Sequence, residues 1–197
     1  MTYVGEGRCM SHSNKIHSMV LSALLIAVGI LIPILSPVKV MIEPMSFTLA
    51  SHVAIMIAMY VSPSVAVATA CGTTLGFLLY GFPLPVVLRA LSHIVWAFVG
   101  GIYLRKHPDT LNSMWKTVAL TVAIALIHAA AEVAIVIPIY FNDPNIDFMY
   151  MVMGLVGVGT IVHSIVDMVI SIIAWKLLVK NRSIVAVSNV KEVALQF

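Results

Sequence analysis

Residues 46–81 read SFTLASHVAIMIAMYVSPSVAVATACGTTLGFLLYG, an apolar run whose main interruption is Ser62-Pro63-Ser64. Proline at 63 lacks a backbone donor, so a break there divides one implausibly long helix into two antiparallel passes, 46–62 and 64–81. A helix needs about 20 residues to cross a bilayer, so both passes are short and must run steeply or stop below the interface. Four further apolar stretches flank this pair, at 17–35, 86–104, 115–140 and 149–178, separated by breaks rich in Pro, Gly, Asn or charge. The expected fold is an all-α integral membrane protein with six transmembrane helices. It divides into a cytoplasmic N-terminal segment 1–16, a membrane domain 17–180 and a cytoplasmic tail 181–197.

Composition supports this assignment. Of 197 residues, 61% are hydrophobic and 10% charged, against roughly half apolar and a quarter charged in an ordinary soluble domain. The excess must face lipid, because the hydrocarbon itself serves as the apolar solvent. The polar first sixteen residues and the long apolar run after them argue against a cleaved signal peptide. The net charge of +3 and pI near 9.0 do not point to nucleic acid, because Lys and Arg are dispersed among loops. Cys9 and Cys71 offer neither a disulfide framework nor metal-ligand spacing.

Basic residues set the expected orientation. With the N-terminus inside, six crossings place Arg8 and Lys15, then Arg105, Lys106 and Lys116, then Lys176, Lys180, Arg182 and Lys191 in the cytoplasm, nine of the eleven Lys and Arg residues. Lys39 falls in an outer loop and Arg89 inside the fourth span. Cytoplasmic loops carry the excess of Lys and Arg, so both termini are expected in the cytoplasm.

Function is sought where polarity is retained at a cost. An ionisable group at the bilayer centre costs about 2.5–3.5 kcal/mol on insertion scales and therefore faces a cavity, a protein interior or a partner. The second span carries Ser51 and His52, the fourth Arg89, Ser92, His93 and Trp96, the fifth His128 and Glu132, and the sixth His163 and Asp167. Arg89, His93 and Trp96 recur at i, i+4 and i+7, and the two His/acid pairs at i, i+4, so each set shares one helical face. A guanidinium that grips a carboxylate, an indole that stacks on a flat ring and imidazoles that bond a ring heteroatom suit a small aromatic acid. The competing reading makes the His/acid pairs inter-helix hydrogen bonds, His52 structural, and Arg89 a snorkelling side chain. Glu43, with Pro44 and Met45, is a candidate lid, or simply an exposed loop.

Small residues four apart, Ala23-Leu-Leu-Ile-Ala27 in the first span and Gly72-Thr-Thr-Leu-Gly76 in the third, make smooth strips for close helix approach. A chain of this length, with a basic N-terminal segment leading into Ser22-Ala-Leu-Leu-Ile-Ala27, resembles the substrate-binding S-components of energy-coupling factor (ECF) vitamin transporters. Within them, Glu43-Pro-Met-Ser-Phe-Thr-Leu-Ala-Ser-His52 and Leu88-Arg-Ala-Leu-Ser-His93 resemble the niacin branch. The resemblance implies an outward vitamin site built from the first outer loop and the fourth to sixth helices. Arg89, His93, Trp96, His128, Glu132, Tyr140 and His163 are its candidate substrate-binding residues, and Ala23 and Ala27 the strip that docks on the membrane-embedded T-component.

No G-x-x-x-x-G-K-[ST] phosphate loop occurs in the chain, so active transport would need ATP hydrolysed elsewhere. The resemblance supplies a T-component and two ABC ATPase subunits as partners, with no cofactor or metal in this chain. The implied role is a non-enzymatic vitamin-capturing subunit in a prokaryotic plasma membrane, binding nicotinate. Two rivals come from other classes. A stand-alone proton-coupled carrier would relay protons through Glu132 or Asp167. A metal-dependent membrane enzyme would use His128, Glu132, His163 and Asp167 as ligands.

Overall fold

In the computed structural model, residues 12–42, 45–141, 144 and 147–195 are described. Among them, five helical stretches are long and apolar enough to cross a membrane. They are α1 (His12–Leu35), α3 (Pro63–Tyr80), α4 (Leu84–Lys106), α5 (Met114–Tyr140), and a π-helical segment, Met149–Val158, that continues into α6 (Gly159–Leu178). Their apolar residues are extensively exposed, as Leu24, Val28, Leu31 and Leu35 of α1 illustrate. Only lipid satisfies such a surface, and the chain is an integral membrane protein.

The second expected span differs. Residues 46–62 are not one helix: they begin as strand β2 (Met45–Thr48), which pairs antiparallel with β1 (Lys39–Ile42), and only Val53–Val61 forms helix α2. Among the described residues the fold is therefore helical with one two-stranded hairpin. At 1.5 Å per residue, nine residues span about 14 Å, half the hydrocarbon thickness. Every residue of α2 is buried, enclosed mainly by α1, α3, α4 and α6. Its apolarity therefore reflects a protein core, and a hydropathy reading cannot distinguish that from lipid.

A helix this short leaves many backbone groups unpaired at its ends, and distant segments supply partners. At its C-terminal end the tail following α7 (Arg182–Val187) donates Asn189 N to Val61 O at 2.8 Å and Val190 N to Tyr60 O at 3.0 Å. Lys176 Nζ donates to Leu195 O at 2.7 Å and Asn112 accepts from Ala194 N at 2.9 Å. Residues 181–195 thus dock on the bundle, where the sequence suggested only a tail. Ser62 then caps α3 by accepting from Val65 N at 3.2 Å, with Pro63 at the first helical position, where its missing donor costs nothing.

Glycines bring helices together. Gly72 of α3 lies under Ile26 of α1, and Gly76 under Ile30, so the two helices ascend in the same direction and the chain between them returns. Gly101 of α4 faces the Pro63 backbone, and a Cβ there would stand 2.8 Å from Pro63 Cα. Gly101→Ala is expected to cost about 1–3 kcal/mol through overpacking. A lowered unfolding midpoint in detergent would report it. Gly157→Ala, whose Cβ would meet Val133 at an ordinary 3.5 Å, should leave the midpoint nearly unchanged.

Candidate functional site

The turn into α2 is tied to α6 by one carboxylate. Asp167 Oδ1 accepts Ala50 N at 2.9 Å, and Oδ2 accepts His52 N at 2.9 Å and His52 Nδ1 at 3.0 Å. Asp167 is fully buried, so these three donors replace the water it has lost. The carboxylate in turn lies at the amino end of α2, where a negative charge is favourable. Ala50 has φ 68°, a left-handed conformation that a side chain tolerates poorly, in the middle of this clamp. His163, one helical turn before Asp167, shares a hydrogen bond with Ser51 Oγ at 3.1 Å and stacks on Phe47 of β2 with ring centroids 5.1 Å apart.

A second carboxylate organises α4 and α5. Glu132 Oε2 accepts Arg89 Nη2 at 2.8 Å and Thr160 Oγ1 at 2.6 Å. Its Oε1 lies 3.3 Å from both His93 Nε2 and His128 Nε2. His128 Nδ1 is held by Ser164 Oγ at 2.6 Å, whereas its buried Nε2 meets hydrogen-bond geometry with no described group. The His52, His93 and His128 rings pack edge to face with centroids 4.6–4.8 Å apart. Trp96 lies behind them, its centroid 5.2 Å from His128 and its buried Nε1 without a hydrogen bond among the described residues.

Above this polar floor is a cavity walled by α1, α3, α4 and the hairpin. Gly29, Pro33, Thr73 and Phe77 give it an apolar side; Ser46, Thr48, Ser51, His52, Arg89, His93 and Glu132 give it a polar one, with Lys39 also on the wall. Lys39 is exposed while Arg89 and Glu132 are buried, so the cavity runs from an accessible cation to a buried ion pair. Arg89 Nη1 lies 3.4 Å from Ser46 Oγ, and its guanidinium carbon stands 5.8 Å from the Phe47 ring centroid. A flat apolar ring bearing one anionic group matches this combination of walls.

Of the residues read from sequence, Arg89, His93 and Glu132 line the cavity, while Trp96 and His128 form the layer behind it. His163 reaches the site through Phe47 and Ser51. Tyr140 packs in a separate cluster with Val136, Val152 and Val156. Ala23 and Ala27 are exposed on α1, and Glu43 lies outside the described residues. The four ligands of the enzyme reading do not form one group. Among the described residues, potential ligand atoms fall into two sets sharing His52, one with His93, His128 and Glu132 and the other with His163 and Asp167.

Sequence reading passed over the contributions of Ser46, Thr160, Ser164 and the α1 and α3 walls. Thr160 and Ser164 do share a face with His163 and Asp167, at i, i+3, i+4 and i+7, and that spacing could have exposed them. Nothing in the sequence pointed to Ser46 meeting Arg89.

Comparison with known proteins gives one informative likeness. The chain is 35% identical over 99 residues to the niacin transporter NiaX of Lactococcus lactis subsp. cremoris, a match covering 48% of this chain and 44% of that protein. No family model and no solved structure matches. The matched stretch is thus about half of either chain. With five long apolar helices among the described residues, the chain is a multi-pass membrane protein, one stretch of which is similar to a niacin transporter.

The Asp167 clamp yields a stability prediction. Asp167→Ala strands three donors in the interior and should lower stability by about 3–5 kcal/mol, the scale for breaking a buried charged interaction. A smaller loss is expected for His163→Ala. Detergent unfolding midpoints of the two variants should rank in that order; equal midpoints would contradict the clamp.

Proposed function

We propose that this chain is the nicotinate-capturing S-component of an ECF-type importer. The observation that carries the reading is a cavity lined both by Phe77 and Phe82 and by Lys39, Ser46 and Arg89, a combination of rings and charge suited to a small aromatic carboxylate. Glu132 neutralises Arg89 and orients it through the 2.8 Å bond, leaving Lys39 as the surplus positive charge along the wall. The ligand carboxylate engages Lys39 and the outer edge of Arg89, and the pyridine ring lies between the phenylalanines and His93. Trp96, His128 and His163 support those contacts from behind, and Tyr140 holds the outer end of α5. The similarity to a niacin transporter favours the same ligand class.

In this reading the chain crosses six times, five times by long helices and once by the hairpin with α2. The common direction of α1 and α3 supports an intervening return, and packing of α7 against α1 and α2 supports termini on one side. The distribution of Lys and Arg makes that side cytoplasmic. Ala23 and Ala27, exposed beside Leu24 and Val28, form the contact for a T-component, and two ATPase subunits supply the energy. The S-component topples in the membrane to release its ligand inward.

Isothermal calorimetry on the detergent-purified chain tests the capture step. Nicotinate should bind, nicotinamide and pantothenate much less, and Lys39→Gln should weaken nicotinate by about tenfold, the scale of one charge-assisted hydrogen bond. Equal binding of nicotinate and nicotinamide would remove the carboxylate argument. Uptake by cells tests coupling separately: Ala23→Trp with Ala27→Trp should abolish transport while calorimetric affinity is retained. Transport that persists without ATPase subunits would favour the proton-coupled carrier.

A further inference from the structure

We infer that His52, His93, His128 and Glu132 form a binding site for one divalent transition-metal ion, of which Zn2+ is the best match, placed beneath the ligand cavity as a structural staple. The ligand atoms of these four residues all lie within 4.8 Å of one another and all four residues are buried. Tetrahedral zinc with bonds of about 2.0–2.1 Å requires ligand atoms about 3.3–3.4 Å apart. Both nitrogen-to-oxygen edges at Glu132 Oε1, to His93 Nε2 and to His128 Nε2, measure 3.3 Å. That length matches a coordination edge, and it is long for the hydrogen bond whose geometry His93 Nε2 also meets, since a charge-assisted bond favours about 2.7–2.9 Å. His128 Nε2 makes no hydrogen bond across this gap despite its burial, as expected of a lone pair aimed at a metal.

The surrounding groups point the same way. His52 Nδ1 donates to Asp167 at 3.0 Å and His128 Nδ1 is held by Ser164 at 2.6 Å. These bonds place each Nε2 as the available donor and fix the rings, as partners behind metal-bound imidazoles do. Glu132 divides its oxygens, giving Oε2 to Arg89 and Thr160 and keeping Oε1 toward the imidazoles. The second set, His52, His163 and Asp167, fits less well, because backbone N–H groups already occupy both Asp167 oxygens, Ala50 N on Oδ1 and His52 N on Oδ2, whereas Glu132 Oε1 faces imidazoles alone. Three imidazoles and one carboxylate suit a borderline cation such as Zn2+, or Co2+ as its spectroscopic substitute. With four protein ligands the site is closed, and it joins the start of α2 to α4 and α5.

The test uses the whole 197-residue chain without added nicotinate, so its outcome is independent of the vitamin reading. Chelator-stripped protein is incubated with Zn2+, desalted, and its metal content measured by plasma mass spectrometry. One zinc per chain and a raised unfolding midpoint are expected. Ser164→Ala keeps all four ligands but removes the support of His128, and should weaken zinc by about 10–100-fold. His128→Gln should lose the metal, and His163→Gln should retain it. Co2+ loading of the unaltered chain should produce the intense visible bands of tetrahedral coordination. The inference is overturned if the unaltered chain retains no zinc, if Co2+ remains octahedral, or if Ser164→Ala and His128→Gln bind as tightly as the unaltered chain.

Discussion

Asp167 is the group on which the remaining architecture depends. A helix that starts inside a bundle presents unpaired N–H groups where there is no water, and each would cost several kcal/mol if left alone. Asp167 receives Ala50 N, His52 N and His52 Nδ1, allowing the chain to leave its hairpin, turn through the left-handed Ala50 and begin α2. Tyr60 and Val61 are paired at the other end by the C-terminal tail. Two segments from the far end of the chain thus support a helix near its beginning. The hairpin is correspondingly held against α6, where Phe47 meets His163 and Gly159.

This arrangement explains how so many polar groups coexist in a membrane domain. Glu132 is offset by Arg89 and bonded by Thr160, and Asp167 is saturated by donors, so neither carboxylate is left without compensation. The histidines sit between the two carboxylates, held by serines and by one another. The result is a rigid polar floor built from α2, α4, α5 and α6, beneath walls supplied by α1, α3 and the hairpin. Lys39 contributes a cation from the hairpin, which is the wall least embedded in helix packing. Preorganised groups of this kind reduce the ordering cost of binding a small ligand.

Much of this was legible beforehand. The five long helices appear where the apolar stretches predicted them, within a few residues at most ends, because length and hydropathy respond directly to the bilayer. Arg89, His93, His128 and Glu132 were found from the cost of polarity in an apolar run, and their i, i+4 spacing correctly placed each pair on a single face. The reading of His52 as structural agrees with its bonds to Asp167, but the partner itself was not legible, because an isolated histidine gives no periodic signal and Asp167 lies over a hundred residues away in sequence. The hairpin was missed because Met45–Thr48 merges into the apolar run, and short apolar segments do not distinguish strand, buried helix and membrane span.

By itself, the sequence determined that this chain lives in a bilayer, where its main helices run, and which few polar groups are retained at a cost. Those conclusions follow from transfer free energy, which each residue carries wherever it is placed. The tertiary structure alone decided that α2 is a half-length core helix, that Asp167 and the tail pair its ends, and that His93 and His128 meet at Glu132 with His52 packed against both. These depend on contacts between distant segments, and a contact has no energy until packing brings both partners together.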